Sequence, residues 1–430
     1  MLSTVLLGTS GAQSVVMNRK RLGDGRSATL LASLLALVAS GMKAQTIMQG
    51  SGPGDLVRIF NTDAAVLEAQ DVRKDLPCTV TPILKPVLGF DLRFHAGYEV
   101  SLPLKDLAGS EDLLTMIFRV TPESHKDASV YFSQRLSVPA IEENAKGNAY
   151  FQGAFDVGEG NYHVDFLMRD RSERVCSFFW DAQAELPPKD SQLVLMMAPE
   201  TVQAAEREPF KDEPPVEREQ TSGPLNVKVI VNFAPQNSHS ATLQPLDTNA
   251  LISILRSVAR EPRIRKFSIV AFNMQEQRVV YRQENTDQIN FPALGEALNS
   301  LNLGTVDLKR LSQKHGETAF LADLLNAEMN NSKGHPDAVI FAGPKVMLDD
   351  NLGQDALTHL ADVDYPVFYM NFNLNPQANP WRDAIGNTVK HLKGYEYTIS
   401  RPRDVWYAWT EIMSRIVKFR LGKSGLSASQ

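Results

Sequence analysis

Seven polar residues near the ends of predicted strands carry most of the recognition chemistry in this chain: Asn232, Gln236, Asn237, Ser238, Thr318, Asn371 and Asn373. The first four follow the apolar run Val227-Lys228-Val229-Ile230-Val231, and Thr318 stands in Gly316-Glu317-Thr318-Ala319. Neutral amides and hydroxyls both donate and accept hydrogen bonds, which suits a polar partner surface. They form a poor cage for a divalent cation, which takes several oxygen ligands with carboxylates among them. Asp349 and Asp350 are adjacent acids that read as a solvated helix start. No metal and no cofactor is therefore expected.

Catalytic signals are weak. The eight histidines show no His-x-His or His-Glu-x-x-His spacing. No phosphate loop and no dinucleotide fingerprint is present, and Gly-x-Ser-x-Gly is absent beyond residue 44. No catalytic residue is assigned. A hydrolase reading would use His239 or His315 as base, because both fall on loops at the strand ends. Trp406, Tyr407 and Trp409 would serve a carbohydrate platform, but Trp409 lies at the helical period of an apolar face.

The elements that must position these residues alternate from residue 225 onward. Continuous apolar strands at 227–231, 267–272, 338–342 and 367–370 are of the kind buried on both faces. Amphipathic helical periods separate them, one with Trp381, Ile385, Val389 and Leu392 on a single face. Residues 278–282 follow 267–272 so closely that an antiparallel pairing is expected. This order predicts an open, mostly parallel, Rossmann-like sheet with helices on both faces. In such sheets, ligands sit beyond the carboxyl ends of the strands.

With Asn232-Phe233-Ala234-Pro235-Gln236, Thr318 and Phe341-Ala342-Gly343 in that order, residues 226–421 resemble the von Willebrand factor A family. The resemblance implies a metal site built from Asp-x-Ser-x-Ser, a Thr and a later Asp. Here Asn232, Ala234 and Gln236 replace the first motif and Ala342 replaces the last acid. Thr318 alone matches, which implies a binding scaffold without its cation.

Residues 78–200 read as all-β, with about seven short runs separated by turn residues. Gly158-Glu159-Gly160-Asn161-Tyr162-His163-Val164 resembles the tyrosine corner of immunoglobulin-like β-sandwiches. Residues 45–77 are unassigned. Residues 201–225 are acidic and proline-rich without apolar periodicity, and are expected to be a flexible linker. Residues 422–430 are expected as a tail. The fold class is thus α/β plus all-β.

The 430 residues carry a net charge of −6, with 43% hydrophobic and 22% charged residues, which is ordinary globular material and suggests no nucleic-acid partner. Residues 1–44 have the layout of an export signal. Arg19, Lys20, Arg21 and Arg26 precede an apolar run at 28–39 and small residues up to Ala44, with Met17 the expected start. The apolar run is short for a membrane anchor. The mature chain is expected outside the cytoplasm, in a bacterial-type periplasm or beyond the cell, with no integral membrane segment. There Cys78 and Cys176 either pair or remain two separate buried thiols. The function expected is non-enzymatic protein–protein interaction or adhesion with a partner in the cell envelope. The alternatives are a hydrolase working at the sheet-end loops and a carbohydrate-binding protein.

Overall fold

Segments whose apolar side chains alternate bury one face only, so they pair into sheets that close on each other. The chain is seen in a computed structural model that describes residues 45–50, 56–109, 111–206, 208–219, 224–237, 240–303, 315–330, 335–348, 352, 360 and 363–427. The segment expected as an export signal lies outside these residues, as do Ser238, His239, Asp349 and Asp350.

Strands β1 (Gln45–Gln49) and β2 (Leu56–Phe60) form an antiparallel hairpin that leads into helix α1 (Asn61–Ala69). Next come β3 (Thr79–Pro82), β4 (Val87–Leu88), β5 (Phe94–Pro103), β6 (Asp112–Pro122), β7 (Val130–Val138), β8 (Asn148–Val157), β9 (Gly160–Arg169), β10 (Val175–Ala184) and β11 (Val202–Ala204). One sheet runs β10-β9-β6-β7; the other runs β11-β8-β5-β3, with β4 added on β5. Their inner faces share a core that includes Val100, Met116, Phe155, Val164 and Phe166. Tyr98 sits among the rings of Phe118, Phe166 and Trp180 at centroid distances of 5.4, 4.9 and 5.9 Å. Buried Tyr162 donates its hydroxyl to the Gly158 carbonyl at 2.9 Å.

A disulfide joins Cys78 to Cys176 across 98 residues, with 6.2 Å between the Cα atoms. A closed loop of that length is worth about 4–5 kcal/mol in the chain-entropy account.

The unassigned stretch before β3 covers the outer face of the first sheet. Ile59, Ala64 and Leu67 pack on Ile117, Leu167 and Val175. Arg119 reaches the fully buried Asp165 at 2.7 Å, and Arg169 reaches Asp63 at 3.2 Å.

The remaining elements are β12 (Leu225–Asn232), α2 (Pro245–Ala259), β13 (Ile264–Asn273), β14 (Arg278–Thr286), α3 (Phe291–Leu298), α4 (Gly316–Asn330), β15 (Ala338–Pro344), β16 (Val367–Phe372), α5 (Ala384–His391), β17 (Tyr395–Ile399) and α6 (Pro402–Ser427). Their sheet runs β14-β13-β12-β15-β16-β17, with β14 antiparallel to β13 and the other neighbours parallel. One face packs on α2, α3 and α6 and the other on α4 and α5.

The balance of elements corrects the class expected from the sequence. Among the described residues the chain is β-rich, with few helices, and three of the four described sheets are antiparallel throughout. An α/β chain of von Willebrand A type fronted by an immunoglobulin-like sandwich is therefore not its class. The physical reason is the weight of strand pairing: paired strands run from Gln45 to Ile399, whereas α3 and α5 each have only 8 residues.

The described residues between 201 and 225 are no free linker. Val202–Ala204 pairs with β8. Arg256 binds both oxygens of Glu206 at 3.2 Å and meets Glu213 at 2.8 Å, while Arg260 holds Glu213 at 2.6 Å. Phe210 packs on the core against Gly295, where any Cβ would come within 2.6 Å of its ring. Two of the acids that suggested solvation, Glu206 and Glu213, are held by guanidiniums at the C-terminal end of α2.

The two halves also touch directly. Phe90 meets Phe372 edge-on at 5.6 Å, Arg403 pairs with Asp190 at 2.8 Å, and Trp406 packs on the sandwich core. Helix α6 continues to Ser427, through much of the expected tail. Trp381, expected on a buried helical face, lies before α5 and is 70% exposed. Among the described residues, no helix is long and apolar enough to cross a membrane.

Candidate partner-binding crevice

Chain connections leave β12 toward β13 on one side of the sheet, while β15 lies on its other side. Such a reversal opens a crevice at the carboxyl ends of parallel strands. A crevice of about 240 Å³ lies there, lined by the ends of β12, β15 and β16 and by the loops beyond them.

Its walls are fastened by side-chain amides. Asn232, 1% exposed, accepts a hydrogen bond from the Met274 amide through Oδ1 at 3.2 Å. Gly343 passes so close to Asn232 that a Cβ would stand 2.8 Å from the Asn232 Cβ, and its φ of +143° favours glycine as well. Gln236 accepts from the Leu374 amide at 3.2 Å, which ties the loop after β12 to the loop after β16. Its Nε2 donor is buried without a hydrogen-bond partner. Asn373 donates to the Asn379 carbonyl at 3.2 Å and accepts from the Asn375 amide at 3.1 Å.

Of the residues expected to form a site, Asn232, Gln236 and Asn373 line the crevice together. Asn371 does not: its amide donates to Glu396 at 3.0 Å on the side toward β17. Thr318 is half-buried in the first turn of α4 and outside the lining, although its neighbour Glu317 is part of it. Asn237 is exposed outside the lining.

Sequence reasoning missed Lys345, Met347, Trp381 and Asp383. Lys345 lines the crevice and donates to the carbonyls of Asn379 (2.7 Å) and Trp381. Met347 at the mouth is 52% exposed. Asp383 caps α5 through the Gly386 amide at 2.9 Å, and its other oxygen accepts from the Val346 amide at 2.7 Å and the Tyr369 hydroxyl at 3.0 Å. Burial pushes its carboxyl above the usual range, opposed by the Val346 and Gly386 amides. Burial likewise pushes the Tyr369 hydroxyl up. The one sequence signal for this group is Gly343-Pro344-Lys345, a glycine and a lysine without the spacing of a phosphate loop.

A second polar cluster holds Asp91, His95 and Asp156 beside Arg93. His95 Nδ1 lies 2.7 Å from Asp156 and its Nε2 lies 3.1 Å from Asp91. Arg93 stands 3.6 Å from Asp156 and 3.9 Å from Glu206. Donor atoms of the three residues lie within 4.8 Å of one another, the density of a metal site. Each ring nitrogen, however, serves a different carboxylate, which is the arrangement of a protonated imidazole. Hydrogen bonds to Asp156 and Asp91 push the His95 pKa up to about 10, against the effect of burial. Held between two carboxylates, the His95 imidazole links Asp91 of the 89–95 loop to Asp156 of β8.

No protein-family model matches the chain, and no curated protein matches it. Among solved structures it is similar to the superoxide reductase (neelaredoxin) from Ignicoccus hospitalis, with 9% identity and a TM-score of 0.18, over 25% of this chain and 80% of that one. It is also similar to a glycosyl hydrolase family 2 member from Bacteroides cellulosilyticus DSM 14838, with 9% identity and a TM-score of 0.18, over 75% of this chain and 39% of that one. A Bacteroides uniformis beta-glucuronidase gives 9% identity and a TM-score of 0.19, over 71% and 39%. Likenesses at these scores carry no argument about fold or chemistry.

Proposed function

We propose that this chain is an exported, non-enzymatic interaction protein that binds a protein partner in the cell envelope. The observation that supports this reading is the make-up of the crevice. Amide-to-backbone bonds fix its walls, the buried Gln236 Nε2 has no hydrogen-bond partner, Met347 stands exposed at the mouth, and Lys345 holds the carbonyl of the exposed Trp381. An exposed Met at the mouth of a small polar crevice, with an exposed Trp on the loop that Lys345 holds, matches the enrichment found in protein–protein interfaces. Preorganised walls also lower the ordering cost of association. The Cys78–Cys176 disulfide suits an oxidising compartment, in keeping with export.

The test is affinity capture from envelope extracts with the full chain, comparing wild type with a Lys345→Ala/Trp381→Ala variant. The expected result is one stoichiometric protein partner, lost with the variant and unaffected by prior deglycosylation of the extract. Capture of a glycan, or of a protein held equally by both forms, would overturn the reading.

A further inference from the structure

A second surface, far in sequence from the crevice, has the features of a peptide groove. It measures about 1000 Å³ and runs between β2, β7 and the β8–β11 end of the sandwich. Phe132, half-buried and stacked at 4.5 Å on the buried Phe118, contributes apolar surface. Arg58, Arg93, Arg135 and Lys211 line it from four separate segments. The acids in the lining are Glu206, which is tied to Arg256, and Glu208. The excess of positive charge is local, because the whole chain carries −6.

Strand β7 forms one wall. Among the described residues its nine residues have ladder hydrogen bonds only with β6, while the β1–β2 hairpin lies beside it without pairing. A free strand edge is a template for an added strand, with backbone hydrogen bonds supplying affinity and flanking side chains supplying selectivity.

We infer that this groove takes an extended, acidic segment of a partner protein, added as a strand along β7 with its apolar side chains toward Phe118 and Phe132. Selectivity is electrostatic. A carboxylate row on one face of the added strand meets Arg58, Arg135 and Lys211, and the alternate apolar side chains enter the groove. The inference uses no residue of the crevice, so it stands or falls separately from the function proposed above.

The probe is a fluorescein-labelled peptide of alternating glutamate and valine, with an alternating lysine and valine peptide as its counterpart. Fluorescence anisotropy is read on the full chain at low and high salt. The acidic peptide is expected to bind saturably and to weaken with salt. An Arg135→Glu/Lys211→Glu variant should bind it about tenfold or more weakly. Its melting temperature should match wild type; if it does not, Arg135→Gln/Lys211→Gln takes its place. Amide exchange should slow within residues 130–138 when the peptide is bound. Equal binding of the lysine peptide, no effect of charge substitution, or no protection in β7 would overturn the inference. So would a concentration-dependent dimer abolished by the same variant, which would assign the groove to a second copy of the chain.

Discussion

Replacing Arg256 with methionine should release the strap of residues 206–219 from α2. The Arg256 side chain is 8% exposed, and its guanidinium serves Glu206, Glu213 and the Pro209 carbonyl. Removing one member of a buried ion pair costs about 3–5 kcal/mol when the other charge is left alone. Neither acid is left alone here: Glu213 keeps Arg260 at 2.6 Å, and Glu206 retains Arg93 at 3.9 Å. We therefore expect roughly half of that cost, about 2 kcal/mol, confined to detachment of the strap. When opening and closing are fast, proteolysis follows the open population, so this amounts to about a 30-fold faster cut. Trypsin should cleave the wild type slowly at Lys211 and Arg218, and the Arg256→Met variant about 30-fold faster, with little change in the global melt. Rapid cleavage at these two sites in the wild type would show that the strap is a free linker after all.

Three further outcomes follow from the packing. Lys228, 9% exposed in its side chain, holds Glu328 at 2.7 Å from the central strand, and Glu328 also pairs with Arg282. Lys228→Ala should cost about 3 kcal/mol, the low end for a broken buried pair because Arg282 remains, as read by chemical denaturation. A change below 1 kcal/mol, about the value of an exposed pair, would show the pair to be solvated. For the His95 clamp, the folded pKa of about 10 lies above the ordinary 6.5, so its stabilisation is complete below about 6.5 and is lost as pH rises through about 10. Asp91 is held below its ordinary value of 3.8, so its share is present above that value and disappears as pH falls below it. The difference in melting temperature between wild type and His95→Gln should shrink between about pH 7 and pH 10, and a constant difference would refute the clamp. Finally, Cys78 and Cys176 should resist alkylation in the native protein until reductant is added, and two free thiols in freshly prepared protein would contradict the disulfide.

What was legible in the sequence depended on how local the signal was. The pairing of β9 with β10 follows from alternation around a short polar turn, which places Phe166 opposite Phe178. Asn232, Gln236 and Asn373 could be found because strand ends are marked by the apolar runs before them. Asn371 was misplaced because it lies within β16 and its amide is taken by Glu396 of the neighbouring β17, whereas Asn373 stands beyond the strand end, in the loop that lines the crevice. The strap was misread because proline and acid content says nothing about Arg256 and Arg260, which lie some 47 residues away. Residues 45–77 mix apolar and polar positions without a clear period, and their partners Ile117 and Leu167 point outward from a sheet whose inner face is already apolar. The fold class failed for a related reason. Helical periods after residue 225 are conspicuous in sequence, but they do not outweigh the pairing that dominates the chain.

The proposed function can be tested most directly by site-specific photocross-linking from the crevice mouth. A photoreactive side chain at Met347, 52% exposed and in the lining, should give one discrete protein adduct in envelope extracts. The same group at Met196, 41% exposed on the sandwich, should not give that adduct. Asn373→Ala, which removes two of the bonds that fix the crevice wall, should diminish the adduct without unfolding the chain. The same adduct in equal yield from both positions, or none from Met347, would contradict a partner-binding role for the crevice.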